Sequence, residues 1–173
     1  MTIDVAGMIE QSLIGVITPF IIPAATVFII GIISLTYRYY RLSKSGILAI
    51  DKMNGADFET RLAILFRKLG YSVKQVGNQK GDYGVDLILE KDGVKTAVQA
   101  KCYKRSIVGE SAVREVYTGK GYYQCNKAWV VTNSRYSRMA MNLARANSVQ
   151  LINRNQLINL LIQEKSVTQL DSQ

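Results

Sequence analysis

The stretch Gly81–Lys101, GDYGVDLILEKDGVKTAVQAK, leaves few ways for its part of the chain to fold. Two apolar runs, Val85–Leu89 and Val94–Val98, flank Lys91-Asp92-Gly93. Asp-Gly suits the centre of a type I′ turn, where both residues need positive φ, so the stretch reads as a β-hairpin. With Asp92 and Gly93 at the turn, Lys91 pairs with Val94, Glu90 with Lys95, and Asp86 with Gln99. Opposite charges at Glu90 and Lys95 support that register. Side chains alternate along a strand, which puts Asp86, Gln99 and Lys101 on one face. Val85, Leu87, Leu89, Val98 and Ala100 then form the opposite, core-directed face.

A carboxylate beside an amide oxygen is a hard donor pair suited to Mg²⁺ or Mn²⁺. A lysine two residues past the amide can steer water or stabilise a phosphate oxygen. The plainer reading is a surface hairpin with scattered polar residues. Against it stands Lys101 near the end of an apolar strand, where an unpartnered charge is costly.

GDYGVD followed by QAK resembles the D…QxK core of the Mrr-like restriction endonucleases, a branch of the PD-(D/E)xK nuclease superfamily. The similarity continues through Phe58-Glu59, LGYSV at Leu69–Val73, VVTNSRYSRMAMNLA at Val130–Ala144 and VQLINRNQLINLL at Val149–Leu161. Val85 replaces the proline of the superfamily pattern. Gln99 stands where many relatives carry Glu or Asp, and Gln there is typical of the Mrr-like branch. The resemblance implies a restriction-endonuclease-like α/β fold and hydrolysis of DNA phosphodiester bonds with Mg²⁺ or Mn²⁺. It further implies that Asp86, Gln99 and the Ala100 carbonyl ligate metal, and that Lys101 positions the attacking water and stabilises the developing phosphorane charge. Glu59 would serve a second metal or the water network, although a glutamate in a first helical turn more commonly just complements the helix dipole. The implied role is defence against foreign or modified DNA, with repair or recombination as alternatives. A DNA-tethering module without cleavage is the contrasting class.

The N-terminal part is of another kind. The first 37 residues hold no Lys or Arg, and Gln11–Tyr37 is a run of 27 without a charge. A helix of that length reaches about 40 Å, more than a ~30 Å hydrocarbon core requires. Asp4 and Glu10 before it, and its length, do not suit a secretory signal. Pro19 and Pro23 are expected to kink the helix or end it early, which spanning helices tolerate. Arg38, Arg41, Lys44 and Lys52 follow, among Tyr37, Tyr39 and Tyr40. The basic end therefore belongs inside, and the remaining chain is cytoplasmic, with a prokaryotic inner membrane as the expected location.

The expected organisation is a segment 1–37 carrying a single transmembrane helix over about 11–37, a basic linker 38–53, a nuclease domain 54–163 and a polar, frayed tail 164–173. From Arg38 onward lie all 22 basic residues and 11 acidic ones, a net of +11. That balance suits a polyanionic partner, DNA or an anionic lipid surface. The expected partners are double-stranded DNA, membrane lipid and a second copy of the chain. Candidate phosphate contacts are Lys80, Lys104, Arg105, Arg135 and Arg138, taken from loops beside the site.

Within the domain, Asn54 is expected to cap a helix to Leu69 with Gly70 after it. A strand over Tyr71–Val76 and a flexible loop Gly77–Gly81 precede the hairpin. Helix Gly109–Gln124, strand Lys127–Thr132, a helix capped by Ser134, strand Val149–Ile152 and helix Asn155–Gln163 follow. This α-β-β-β-α-β-α-β-α order predicts a mixed sheet flanked by helices. The loop lacks GxxxxGK[ST], and the chain has no histidine. Phosphate-loop binding, histidine-based nucleophilic pairs and HExxH zinc sites are thereby excluded. Cys102 and Cys125 lack metal-type spacing and suit a reducing compartment. A reporter fused after Gln173 is expected to read out as cytoplasmic; a periplasmic signal would reverse the topology.

Overall fold

A computed structural model of the chain describes residues 5–76 and 83–170, so Lys80, Asp82 and the expected loop 77–81 lie outside it. The chain forms two units, Met1–Arg41 and Leu42–Gln173. In the first, α1 (Val5–Ser43) runs unbroken through positions 19 and 23, where the prolines were expected to kink or end it. Its part Ile21–Ser43 is 23 residues long with mean hydropathy 1.7, long and apolar enough to cross a membrane by length and composition. Val27 and Phe28 are each 70% exposed.

The second unit is built on a five-stranded sheet in the order β1-β2-β3-β4-β5. The strands are β1 (Ser72–Gln75), β2 (Leu87–Lys91), β3 (Val94–Lys101), β4 (Lys127–Thr132) and β5 (Val149–Ile152). The hairpin turn has the expected conformation, with φ of 52° at Asp92 and 73° at Gly93. Lys91 pairs with Val94, Glu90 with Lys95 and Leu87 with Val98. β1 adds antiparallel to β2, while β3, β4 and β5 run parallel. The connecting helices are α4 (Ser111–Tyr122) and α5 (Arg138–Ala146); α6 (Arg154–Leu170) closes the chain. The sheet is mixed and flanked by helices, the α/β architecture that the element order predicts.

Two cores lie on the two faces. Phe58, Leu62, Leu65 and Phe66 of α3 (Gly55–Lys68) join Leu87, Leu89, Val98 and Ala100, with Leu157 and Leu161 of α6. On the other face Ala97 and Val130 meet Val113 and Val116 of α4 and Ala140 and Ala144 of α5. Val85 belongs to this second core, not with Leu87 as alternation predicted. It precedes the first paired residue of β2, so the two-residue period does not yet apply to it.

Asn54 caps α3 by accepting the Asp57 N–H at 2.8 Å. At the far end Gly70 has φ 85°, and the Gly70 and Tyr71 amides return to Arg67 and Phe66 at 3.0 Å each. That double closure is the Schellman stop, and it needs a residue that tolerates positive φ. The cap of α5 differs from expectation: Ser137 accepts the Ala140 N–H at 3.1 Å. Ser134 instead donates to the Ser106 carbonyl at 2.7 Å, and Arg135 lies ahead of the helix.

Most of residues 38–53, expected as a basic linker, is helical. α1 continues to Ser43, a short α2 (Ile47–Ile50) follows, and Leu42 and Ile50 are buried. Over residues 164–170 the expected frayed tail is instead helical, since α6 reaches Leu170. Glu164 is 3% exposed and forms a buried ion pair with Arg61 of α3. The Arg61 Nε also donates to the Ser45 carbonyl at 3.0 Å. Composition concealed this, because a polar helix face is anchored by one fully desolvated pair. Removing one partner of such a pair leaves a buried charge uncompensated. Glu164→Ala is expected to destabilise the unit by about 3–5 kcal/mol. Urea unfolding of the detergent-solubilised chain, followed through Trp129 fluorescence, measures it.

Candidate active site

Ladder pairing between β2 and β3 ends at Leu87 and Val98, one residue short of the expected Asp86–Gln99 pair. Beyond it side-chain chemistry takes over. The Asp86 N–H still donates to the Val98 carbonyl at 2.8 Å. Its carboxylate Oδ2 accepts the Ala100 N–H at 2.6 Å and the Gln99 Nε2 at 2.7 Å. Asp86 and Gln99 are 6% and 5% exposed, so both contacts are made largely out of water. Among the described residues the buried Gln99 Oε1 accepts no hydrogen bond. A buried carbonyl oxygen without a donor is costly, and a cation would satisfy it.

Lys101 lies on the same face of β3 as Gln99, at the carboxyl end of the strand. Its Nζ reaches the Glu115 Oε2 of α4 at 2.8 Å, with both side chains partly exposed. Sequence reasoning passed over Glu115. Ala112, Val116 and Gly119 are buried at helical spacing around it, so an acid stood within an inward stripe, and that was the available signal.

Two glycines press the segment before Asp86 onto α4. Gly84 has φ +72°, and a Cβ there would lie 2.5 Å from the Glu115 Cβ. A Cβ on Gly119 would lie 2.4 Å from Val85 Cγ2 and 2.5 Å from the Tyr83 carbonyl oxygen. Tyr83 stacks on Tyr122 at a centroid distance of 4.0 Å. Gly119, expected to weaken the end of its helix, is what lets the Asp86 segment approach.

Glu59 lies just past the first turn of α3, where Asp57 is the acidic residue and not Glu59 as expected; the apolar side of α3 packs on the opposite sheet face. The Cys102 thiol lies 3.7 Å from both the Ile50 and Met53 carbonyls, just ahead of α3, while Lys91 Nζ meets the Leu69 carbonyl at its other end. α3 therefore runs antiparallel to β3, and Glu59 stands at the same sheet end as Lys101 but in the other layer. The loops carrying the expected phosphate contacts also gather at this end. Val108 donates to the Arg135 carbonyl at 2.9 Å, so the loop of Lys104 and Arg105 is tied to that of Arg135. Lys104, Arg105, Arg135 and Arg138 are all exposed; Lys80 is outside the described residues.

A hydrogen-bonded network centred on the buried Asn133 supports the end of β3. Asn133 accepts the Tyr103 N–H at 2.9 Å and donates back to the Tyr103 carbonyl at 3.0 Å. It also donates to Asp51 at 3.1 Å, and Arg154 of α6 donates to the other Asp51 oxygen at 2.7 Å. Hydrogen bonding from Arg154 holds the Asp51 carboxyl below its ordinary value, against the opposing effect of burial.

Among the described residues no three His, Cys, Asp or Glu side chains cluster as a metal site. The donors present are instead one carboxylate, the orphaned Gln99 Oε1 and the Ala100 carbonyl. Oxygen donors of this mixed kind fit a hard divalent ion, with low charge for the task.

The Mrr_cat restriction endonuclease family matches residues 50–161. Among solved structures the chain is similar to AspBHI, a DNA modification-dependent restriction endonuclease, at 22% identity and TM-score 0.53 over 78% of this chain and 38% of that one. It is also similar to the MspJI restriction endonuclease, solved with a 27-mer oligonucleotide, at 22% identity and TM-score 0.44 over 66% of this chain and 30% of that one. A protein of unknown function, AF1548, aligns at 19% identity and TM-score 0.46 over 53% of this chain and 54% of that one. The chain thus spans between 30% and 54% of the length of these proteins. No curated protein matches the chain at a significant level.

The depressed Asp51 pKa gives the sheet end a pH signature. Its stabilisation is fully present above the ordinary value of 3.8 and is lost as pH falls through the lower folded value. Asp51→Asn is expected to cost about 1–2 kcal/mol near neutrality, discounting for partial exposure. Acid unfolding curves of both proteins should converge at low pH.

Proposed function

The chain belongs to the Mrr-type restriction endonuclease family, and we propose that it is a metal-dependent DNA endonuclease held at a membrane by α1. The observation that carries the nuclease reading is the end of the β2–β3 ladder, where a fixed carboxylate, an orphaned amide oxygen and a lysine share one face. Asp86, Gln99 Oε1 and the Ala100 carbonyl would hold Mg²⁺ or Mn²⁺. Such an ion, when bound, supplies Lewis-acid polarisation of the phosphodiester and neutralises part of its charge.

The chain's own groups do the rest. The Ala100 N–H and Gln99 Nε2 fix the Asp86 carboxylate before substrate arrives, which avoids reorganisation during reaction. The Lys101 ammonium donates to water or a phosphate oxygen and stabilises the charge that grows as the phosphorane forms. With no histidine in the chain, no imidazole can serve as base. Glu59, from the other layer of the same sheet end, is assigned to the water network. Lys104, Arg105, Arg135 and Arg138 contact flanking phosphates, with Lys80 assigned there from sequence alone.

The uncharged length of α1, its exposed Val27 and Phe28, and the basic residues that follow support a single membrane crossing with the nuclease unit on the cytoplasmic side. The biological reading is restriction of foreign or modified DNA, in keeping with the family. The neutral Gln99 favours one competing reading, a DNA-binding module without cleavage.

Cleavage of unmodified and modified DNA by the detergent-solubilised chain, with Mg²⁺ or Mn²⁺, decides between them. Asp86→Ala and Lys101→Ala are each expected to lower cleavage at least 10²-fold while DNA binding persists, the range seen when a transition-state charge loses its partner. DNA binding by the wild type without cleavage of any substrate would establish the binding module, and normal cleavage by Asp86→Ala would displace the metal assignment.

A further inference from the structure

Asp86, Gln99 and Lys101 together carry no net charge, which suits a divalent cation poorly, since hard cations are held chiefly by carboxylates. The missing charge stands next to them. Glu115 projects from α4 onto Lys101 at 2.8 Å, and its backbone is where Gly84, two residues before Asp86, touches the helix. That approach is built in, because any side chain at Gly84 would collide with Glu115. The buried, unsatisfied Gln99 Oε1 is an independent sign that this face is made for a cation.

The geometry points to Glu115 as the second acid of the site: it supplies from α4 the negative charge that Gln99 does not supply from β3, and it positions the Lys101 ammonium. This rests on the nuclease reading above and adds to it the residue that completes its charge. Glu115 acts through Lys101 and through its field, so it is a positioning residue. A carboxylate on a helix one contact away attracts a divalent ion less directly than one in the strand, yet a unit charge within several ångströms still shifts affinity measurably.

Mn²⁺ binding to the full chain in neutral detergent, read from the electron paramagnetic resonance of free Mn²⁺, tests this without depending on cleavage. Glu115→Gln, nearly the same in shape, is expected to weaken Mn²⁺ binding on the order of tenfold. Gln99→Glu added to Glu115→Gln is expected to restore it, because the charge returns to the site by the strand route. A purely structural role for Glu115 would not be rescued by a charge placed on β3. Unchanged affinity in Glu115→Gln overturns the proposal, and so does weakened affinity that Gln99→Glu fails to restore. A wild type that binds no more Mn²⁺ than Asp86→Ala overturns the metal reading of the site and this proposal with it. Wild-type binding lost in Asp86→Ala but kept in Glu115→Gln removes Glu115 alone.

Discussion

The last residues of β3 are held by a strand on one side and by a side chain on the other. Toward β4 the pairing runs on to Lys101 and Thr132. Toward β2 it stops at Val98, and the Asp86 carboxylate receives the Ala100 N–H that a continuing ladder would have bonded. A buried amide needs a partner, so Asp86 is a structural necessity before it is anything else. The same bond fixes the carboxylate, turns Gln99 toward it and leaves the Gln99 Oε1 without a donor. The fixing of the Asp86 carboxylate at the candidate site and the termination of the hairpin are one event.

How legible this was depends on how local each cause is. The Asp92-Gly93 turn, the Glu90–Lys95 pair and the Asn54 cap are decided within a few residues, and their register and ends follow from sequence. Val85 was assigned to the wrong face because alternation was extended past the point where pairing stops. Ser134 and Ser137 are both able caps, and the Ser106 carbonyl, distant in sequence, occupies the first. The polar stretch beyond Gln163 hid a helix because the partners of Glu164, Arg61 and Lys68, lie about a hundred positions earlier. Glu115 escaped for a related reason. Its meaning depends on Gly84 and Gly119 closing the hairpin onto α4, and a close backbone approach has no periodicity of its own.

The sheet end that carries the site is also where the chain enters the domain. Ile50 is buried, Asp51 is bonded by Arg154 and Asn133, and Asn133 in turn grips Tyr103 two residues past Lys101. The Cys102 thiol meets the carbonyls of Ile50 and Met53. Segment 42–53 is therefore part of the support of β3, not a tether of arbitrary length. Here hydrogen bonds and buried apolar contacts join Leu42–Met53 to the strand bearing Gln99 and Lys101, through Asn133 of β4's outgoing loop and Arg154 of α6. The polar network at the sheet end, centred on Asn133, sets how rigidly the last residues of β3 are held.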